Sequence, residues 1–243
     1  MLKPHSPFSD NRLLRAIAPA DRTKLEPHFS EQLFPSGTVL YHPGDDVDRT
    51  YFPAFGAVVL HILVANDGTT MQAATVGREG AIGGVVSAGH RPAFSRTAVL
   101  LQGAIASIET NRLEKIKKDS HRLHDLFARY ADVFLAQVMQ SVVCNARHPI
   151  EARLCRSLLC LQDRAGDDLP MTQEMLAEML GVQRTTISHA AAALRQVGTV
   201  DYKRGKIQII DRTAIQTRAC ECYDLVEAHS RRIFPPGFGQ NPN

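Results

Sequence analysis

Residues 172–198 read TQEMLAEMLGVQRTTISHAAAALRQVG, and this stretch marks its own boundaries. Thr172 suits a helix N-cap, with Gln173 and Glu174 in the first turn, where an acidic group meets the positive end of the helix dipole. Met175, Leu176, Met179 and Leu180 supply an apolar face. Ala177 is small enough for a second helix to cross closely. Gly181 fits the left-handed residue that reverses the chain. Val182 plugs the turn, Ile187, Ala191 and Leu194 bury the second helix, and Gly198 closes it. A small residue, a glycine four positions on and a β-branched residue six further is helix-turn-helix spacing.

Downstream, TVDY and KIQII read as two strands around a turn at Lys203-Arg204-Gly205, so a basic hairpin follows the second helix as a wing. Between Gly181 and Arg218 seven basic residues face only Asp201 and Asp211, although the whole chain is just +3. That local excess suits a polyanion. Arg184, Thr185, Ser188 and His189 are left over from packing near the start of the second helix, the end that enters a major groove, and are expected to contact bases. Thr172, Gln173, Lys203, Arg204 and Lys206 are expected to contact phosphates, which give salt-dependent affinity without sequence information.

Upstream, Pro149 suits the first turn of a helix carrying IEARLCRSLLCLQD, which RAGDDLP ends. From Asn111 to about Ala146 the pattern is helical. Leu123, Phe127, Tyr130, Phe134, Gln137 and Ser141 recur at spacings of three and four along one stripe. That stripe serves either a twin chain or the chain's own body; the expectation taken forward is a dimer helix. Earlier still, from Gln32 to about Ile108, short apolar runs alternate with Gly, Pro and Asp at intervals of about eight to twelve residues, the pattern of a small antiparallel roll or barrel. Short amphipathic helices precede it near Arg12–Ile17 and Asp21.

Composition narrows the class. The 243 residues are 44% hydrophobic and 22% charged, with no apolar run near the ~20 residues of a membrane span and a polar start without a signal-peptide core. The five cysteines (Cys144, Cys155, Cys160, Cys220 and Cys222) fall in helical stretches without disulfide-framework spacing, pointing to a reducing, cytoplasmic setting. No G-x-G-x-x-G opens a long helix after a strand, and no G-x-S-x-G element or Walker loop occurs, so an enzyme is not expected. Cys220-x-Cys222 and His121-x-x-His124 are each half a metal site, and no metal is assigned.

With these residues in order, the chain resembles the Crp/Fnr family of bacterial transcription regulators over nearly its whole length. The resemblance implies an α+β architecture. An antiparallel β-roll of the double-stranded β-helix or jelly-roll type forms the sensor over residues 1–118. A long dimerisation helix covers 119–147, a winged helix-turn-helix 148–232 and a tail 233–243. It also implies a homodimer on two-fold symmetric double-stranded DNA, RNA polymerase as a further partner, and an effector in the roll. The effector residues depart from the cyclic-nucleotide pattern. REGAIGG (78–84) supplies Gly83 but puts Gly84 where a ribose-binding Glu would stand, whereas Arg96-Thr97-Ala98 matches the phosphate-holding step. Val138 and Met139 fall where related sensors offer hydroxyls to the base. Gly83, Gly84, Arg96 and Thr97 are therefore a candidate site for a small anionic or nucleotide effector other than cyclic AMP in its usual pose. An empty, effector-independent roll stands beside it, as does Arg96 in an internal salt bridge. With no cysteine before Cys144, the N-terminal ligands of an iron–sulfur cluster are missing. A nucleotide-processing enzyme, or a ligand-binding module that has lost DNA binding, is the rival from another class.

Overall fold

Short apolar strands broken by turn residues pair into two antiparallel sheets that close on one another. The computed structural model describes residues 7–64, 66, 70–85, 89–203 and 205–234. Three short helices come first: α1 (Pro7–Asp10), α2 (Arg12–Arg15) and α3 (Pro19–Leu25). Asn11 caps α2 by accepting from the Leu14 amide, and its side-chain amide donates to the carbonyls of Pro53 and Gly80 at 2.9 and 2.8 Å. One buried side chain thus ties the N-terminal helices to the sheets.

The strands are β1 (Ser30–Phe34), β2 (Val39–Tyr41), β3 (Arg49–Pro53), β4 (Val58–Val64), β5 (Thr70–Val76), β6 (Arg96–Leu101) and β7 (Gly103–Glu109). They form antiparallel sheets of order β1-β7-β3 and β2-β6-β4-β5, consistent with the small antiparallel roll read from the sequence. Tyr41, Val59, Val76, Val99 and Ile105 fill the space between the sheets. Strand alternation turns Leu60 and Leu100 to the opposite face. They are buried there too, because the C-terminal helices pack over them.

The helical run expected from Asn111 to Ala146 is interrupted. It forms α4 (Thr110–Lys118) and α5 (His121–Arg147). Between them Ser120 adopts an extended conformation, accepts from the Leu123 amide and donates to Asp21 Oδ2 at 2.7 Å. A capping hydroxyl in the polar Lys118-Asp119-Ser120 step restarts the helix where no apolar residue sustains the stripe.

The stripe expected to meet a twin chain is a correction, because α5 lays it on its own subunit. Leu123, Phe127 and Tyr130 are buried among Phe52, Ala106 and Ile108. Phe127 stands edge-on to Phe52 at 6.3 Å, and the Tyr130 hydroxyl donates to the Ala81 carbonyl at 2.9 Å. Phe134 packs edge-on against His61 at 5.4 Å, Gln137 donates to the Thr75 carbonyl at 2.9 Å, and Ser141 donates back to Gln137 of its own helix at 2.8 Å. Spacings of three and four recur on two sides of this helix, and the bulkier aromatic side takes the larger buried surface. The apolar residues left uncovered are Leu135, Met139 and Val142, at 56, 62 and 67% exposure, with Val143 beside them.

Pro149 then caps α6 (Ile150–Ala165), one position earlier than the first turn expected for it. The elements that follow are β8 (Asp168–Leu169), α7 (Gln173–Leu180), α8 (Arg184–Gln196), β9 (Val200–Lys203), β10 (Lys206–Ile209), α9 (Arg212–Arg218) and α10 (Cys222–Ile233). The last three strands make a small sheet of order β8-β10-β9. A single core joins Leu158, Leu176, Ile187, Leu194 and Ile207 to Leu60, Leu100 and Leu101 of the roll. Arg164 of α6 crosses this seam, 2.7 Å from Glu79, and Gly77 leaves it room: a Cβ there would stand 2.6 Å from Arg164 Cγ. Helix α10 runs back along α5, where Arg129 donates to the Ile233 carbonyl at 2.9 Å. Phe234, expected in the tail, is instead buried with the N-terminal helices.

Candidate nucleic-acid interface

The reversal between α7 and α8 forms as its residues dictate. Thr172 Oγ1 accepts from the Met175 amide at 3.2 Å, Gly181 takes the left-handed conformation at φ 65°, and Ile187, Ala191 and Leu194 are fully buried. Packing one side of α8 leaves Gln183, Arg184, Thr185 and His189 exposed on the other. Arg184 Nε lies 3.6 Å from Glu174 Oε2 of α7, and both side chains are open to solvent. Such a pair contributes little to stability and is readily exchanged for a nucleic-acid contact. Ser188 differs from its neighbours: half-buried, it donates to Gln173 Oε1 at 2.7 Å and lies 3.0 Å from the Arg184 carbonyl. It therefore braces α8 on α7, which also engages Gln173.

The wing hairpin ends beside the start of α7. At Gly205, φ 78°, a Cβ would sit 3.8 Å from Thr172 Cγ2, so Thr172, Gln173, Lys203 and Lys206 share one edge of the molecule. Both lysines are exposed. Lys203 pairs with Asp201 at 2.7 Å, and Arg195 reaches the same carboxylate at 3.3 Å. Lys203, followed by burial opposing it and the Tyr202 amide assisting, holds the Asp201 carboxyl below its usual range. Arg204 lies outside the described residues.

Residues 152–218 match the Crp-like helix-turn-helix domain family. The global nitrogen regulator of Nostoc sp. PCC 7120 is 24% identical over 189 residues, 73% of this chain and 84% of that protein. Among solved structures, FixK2 from Bradyrhizobium japonicum shares the fold with a TM-score of 0.68 and 16% identity, over 79% of this chain and 98% of that one. Residues 152–218 thus carry a Crp-like helix-turn-helix domain, and the chain shares its fold with FixK2. A Crp-family transcriptional regulator from Thermus thermophilus has the same fold, with a TM-score of 0.63 and 17% identity over 77% of this chain and 96% of that one. No helix among the described residues is long and apolar enough to cross a membrane.

In the roll, Gly83 and Gly84 follow β5 and lie against β3 and α4, while Arg96 and Thr97 open β6. Gly83, φ 82°, abuts the Arg49 carbonyl and Val47, each 2.8 Å from where a Cβ would stand; Gly84, φ 57°, abuts Thr110 and Thr50. Tyr41, the register partner of Thr97, sets its ring edge 3.3 Å from the Cβ position of Gly83 and its hydroxyl on the Arg49 carbonyl. Thr97 is buried, 3.4 Å from His61 Nδ1, which also meets Ser95 Oγ at 3.0 Å. Burial lowers the His61 pKa to about 4, so this imidazole stays neutral. Arg96 lies at the start of β6, opposite Ile62 and half-buried. The internal salt bridge left open as the alternative for Arg96 is not among the ion pairs of the described residues.

A second grouping was only half legible in sequence. Cys144 and His148, one turn apart at the end of α5, meet Cys220 and Cys222 at the start of α10, with all four ligand atoms within 4.8 Å of one another. Hydrogen bonding from Cys220, then His148 and Arg156, holds the Cys144 thiol well below its usual pKa against the opposing effect of burial. Cys220 is raised in turn, first by that bond to Cys144 and then by burial. The signal in sequence was C-x-x-x-H at 144–148, a pair on one helix face, which gains meaning only beside Cys220-x-Cys222. His121 and His124, the other half-site, are both exposed in the first turns of α5.

Proposed function

We propose that the chain is a homodimeric, cytoplasmic regulator that reads two-fold symmetric DNA with α8 and holds the backbone with the wing. The observation carrying this reading is the exposed row Arg184, Thr185 and His189 on a helix otherwise fixed by burial, beside a wing tip that brings Lys203 and Lys206 to Thr172. Arg184 is suited to guanine O6 and N7 and Thr185 to a thymine methyl, while the start of α7 and the lysines take phosphates. Ser188, engaged by Gln173, acts by orienting the helix rather than by reading a base. Division into a roll, a dimer helix and a winged unit, with RNA polymerase as a further partner, belongs to the same reading.

The filled roll supports regulation without a cyclic nucleotide in the usual pose. Tyr41, Tyr51 and Phe34 interlock at ring distances of 5.7 and 6.0 Å, and His61 and Phe134 close the side towards α5. A selection from random duplexes tests the DNA reading. Arg184→Ala is expected to relax preference at one base position per half-site, a loss of about 1–3 kcal/mol of discrimination. An unchanged preference removes Arg184 from the base-reading set.

A further inference from the structure

We propose that Cys144, His148, Cys220 and Cys222 form a tetrahedral site for Zn(II) that fastens the α9–α10 turn to the end of α5. Cys144 Sγ and Cys220 Sγ lie 3.6 Å apart, and Cys222 Sγ lies 3.4 Å from His148 Nδ1. Zinc bonds of about 2.3 Å to sulfur and 2.0–2.1 Å to nitrogen place tetrahedral ligand atoms about 3.5–3.8 Å apart. The two close pairs already match, and the widest separation, 4.8 Å, closes with an ångström of side-chain adjustment. Three sulfurs and one imidazole nitrogen are a structural zinc donor set, with no position open to water.

The surroundings are those of a metal site. His148 Nε2 is 3.1 Å from Glu221 Oε1, which fixes the ring with Nδ1 turned to the sulfurs; metal-bound histidines hold the second nitrogen in this way. Gln140 Nε2 donates to Cys222 Sγ at 3.1 Å, and the Arg156 guanidinium lies against Cys144. All three cysteines are buried and clustered, with Ala152 packed on them. On binding, each thiol releases its proton to solvent and the imidazole binds neutral. Three thiolates and Zn(II) leave one negative charge, which Arg156 faces.

Position gives the site its consequence. Cys144 and His148 stand at the joint where α5 passes through Pro149 into α6, and Cys220 and Cys222 open α10, which returns along α5. A bound ion closes this path into a ring and restrains the joint between the long helix and the DNA-reading unit. It remains a metal site whether or not the DNA reading holds, since its test reads metal and not DNA.

The test uses the full chain, purified without chelator from zinc-supplemented cells. Equimolar zinc is expected, with X-ray absorption giving three sulfurs at about 2.3 Å and one nitrogen at about 2.0–2.1 Å. Cys144→Ser and Cys222→Ser are expected to lose the metal, Cys160→Ser to keep it, and Glu221→Gln to weaken zinc about tenfold. Stripping zinc from the unmodified chain with a chelator and refilling with Co(II) guards against variants that fail to fold; thiolate-to-cobalt charge-transfer bands are expected. Substoichiometric metal, or zinc retained by the Cys144→Ser Cys222→Ser double variant, would each overturn the proposal.

Discussion

His61 shows how one side chain acquires a property that its sequence position does not announce. It belongs to an ordinary strand, VVLHILV, yet the roll and α5 remove it from water, with Ser95, Thr97 and Phe134 against its ring. Its pKa falls from 6.5 to about 4 by burial, so the folded chain refuses a proton that the unfolded chain accepts. Stability from this group is undiminished above about pH 6.5 and declines as pH falls towards 4, by up to about 1.4 kcal/mol per pH unit. Urea midpoints measured across that window should fall steeply in the parent and less steeply in His61→Gln; parallel slopes would mean that the imidazole titrates freely. Arg184 and Ser188 make a contrast at the same scale. Both are polar residues on α8 one turn apart, and sequence treats them alike. Only the Gln173 contact separates a side chain free to read bases from one spent on bracing.

At the scale of the element, α5 and the wing divide two tasks. The aromatic side of α5 is packed on the roll, so Phe127→Glu is expected to unfold the chain rather than split a dimer. The uncovered side predicts the other outcome: Leu135→Glu or Met139→Glu should leave a folded monomer, seen as a halved mass by light scattering with unchanged circular dichroism. A dimer surviving both changes would place the interface elsewhere. The wing is argued from charge. Lys203→Ala with Lys206→Ala should weaken binding to all sequences alike and reduce the slope of log affinity against log salt by about 0.9 for each phosphate no longer neutralised. Lys203 shares Asp201 with Arg195, so the larger part of that change is expected from Lys206. Equal slopes for parent and variant would detach the hairpin from the backbone. The helix-turn-helix is legible in the residues alone because caps, reversal and apolar spacing are local. The side of α5 that its own subunit covers is not, because one spacing serves two faces.

Over the whole molecule, roll and winged unit share a continuous core and a buried ion pair. Arg164 is 9% exposed and Glu79 26%, so Glu79→Ala strands a guanidinium at the seam. Breaking a fully buried pair costs about 3–5 kcal/mol, and Glu79's partial exposure puts this change near the lower end. The expected result is a lowered urea midpoint with an unchanged m-value and faster amide exchange in α6. Exchange that stays slow would show that apolar contacts alone hold the seam. The C-terminal strap adds to this join: α10 lies on α5, and Phe234 closes over the N-terminal helices from the far end of the chain.

Sequence by itself determined the order of roll, helix and winged helix-turn-helix, and the exposure of Arg184, Thr185 and His189 on α8, because periodicity, caps and turn glycines act within a few residues of one another. Tertiary structure decided what depends on distance. It divided the helical run at Ser120, turned the aromatic stripe inward, filled the roll around Tyr41 and His61, and brought Cys144 and His148 to Cys220 and Cys222. Contacts between residues far apart along the chain are set by how whole elements pack, and no local pattern encodes that.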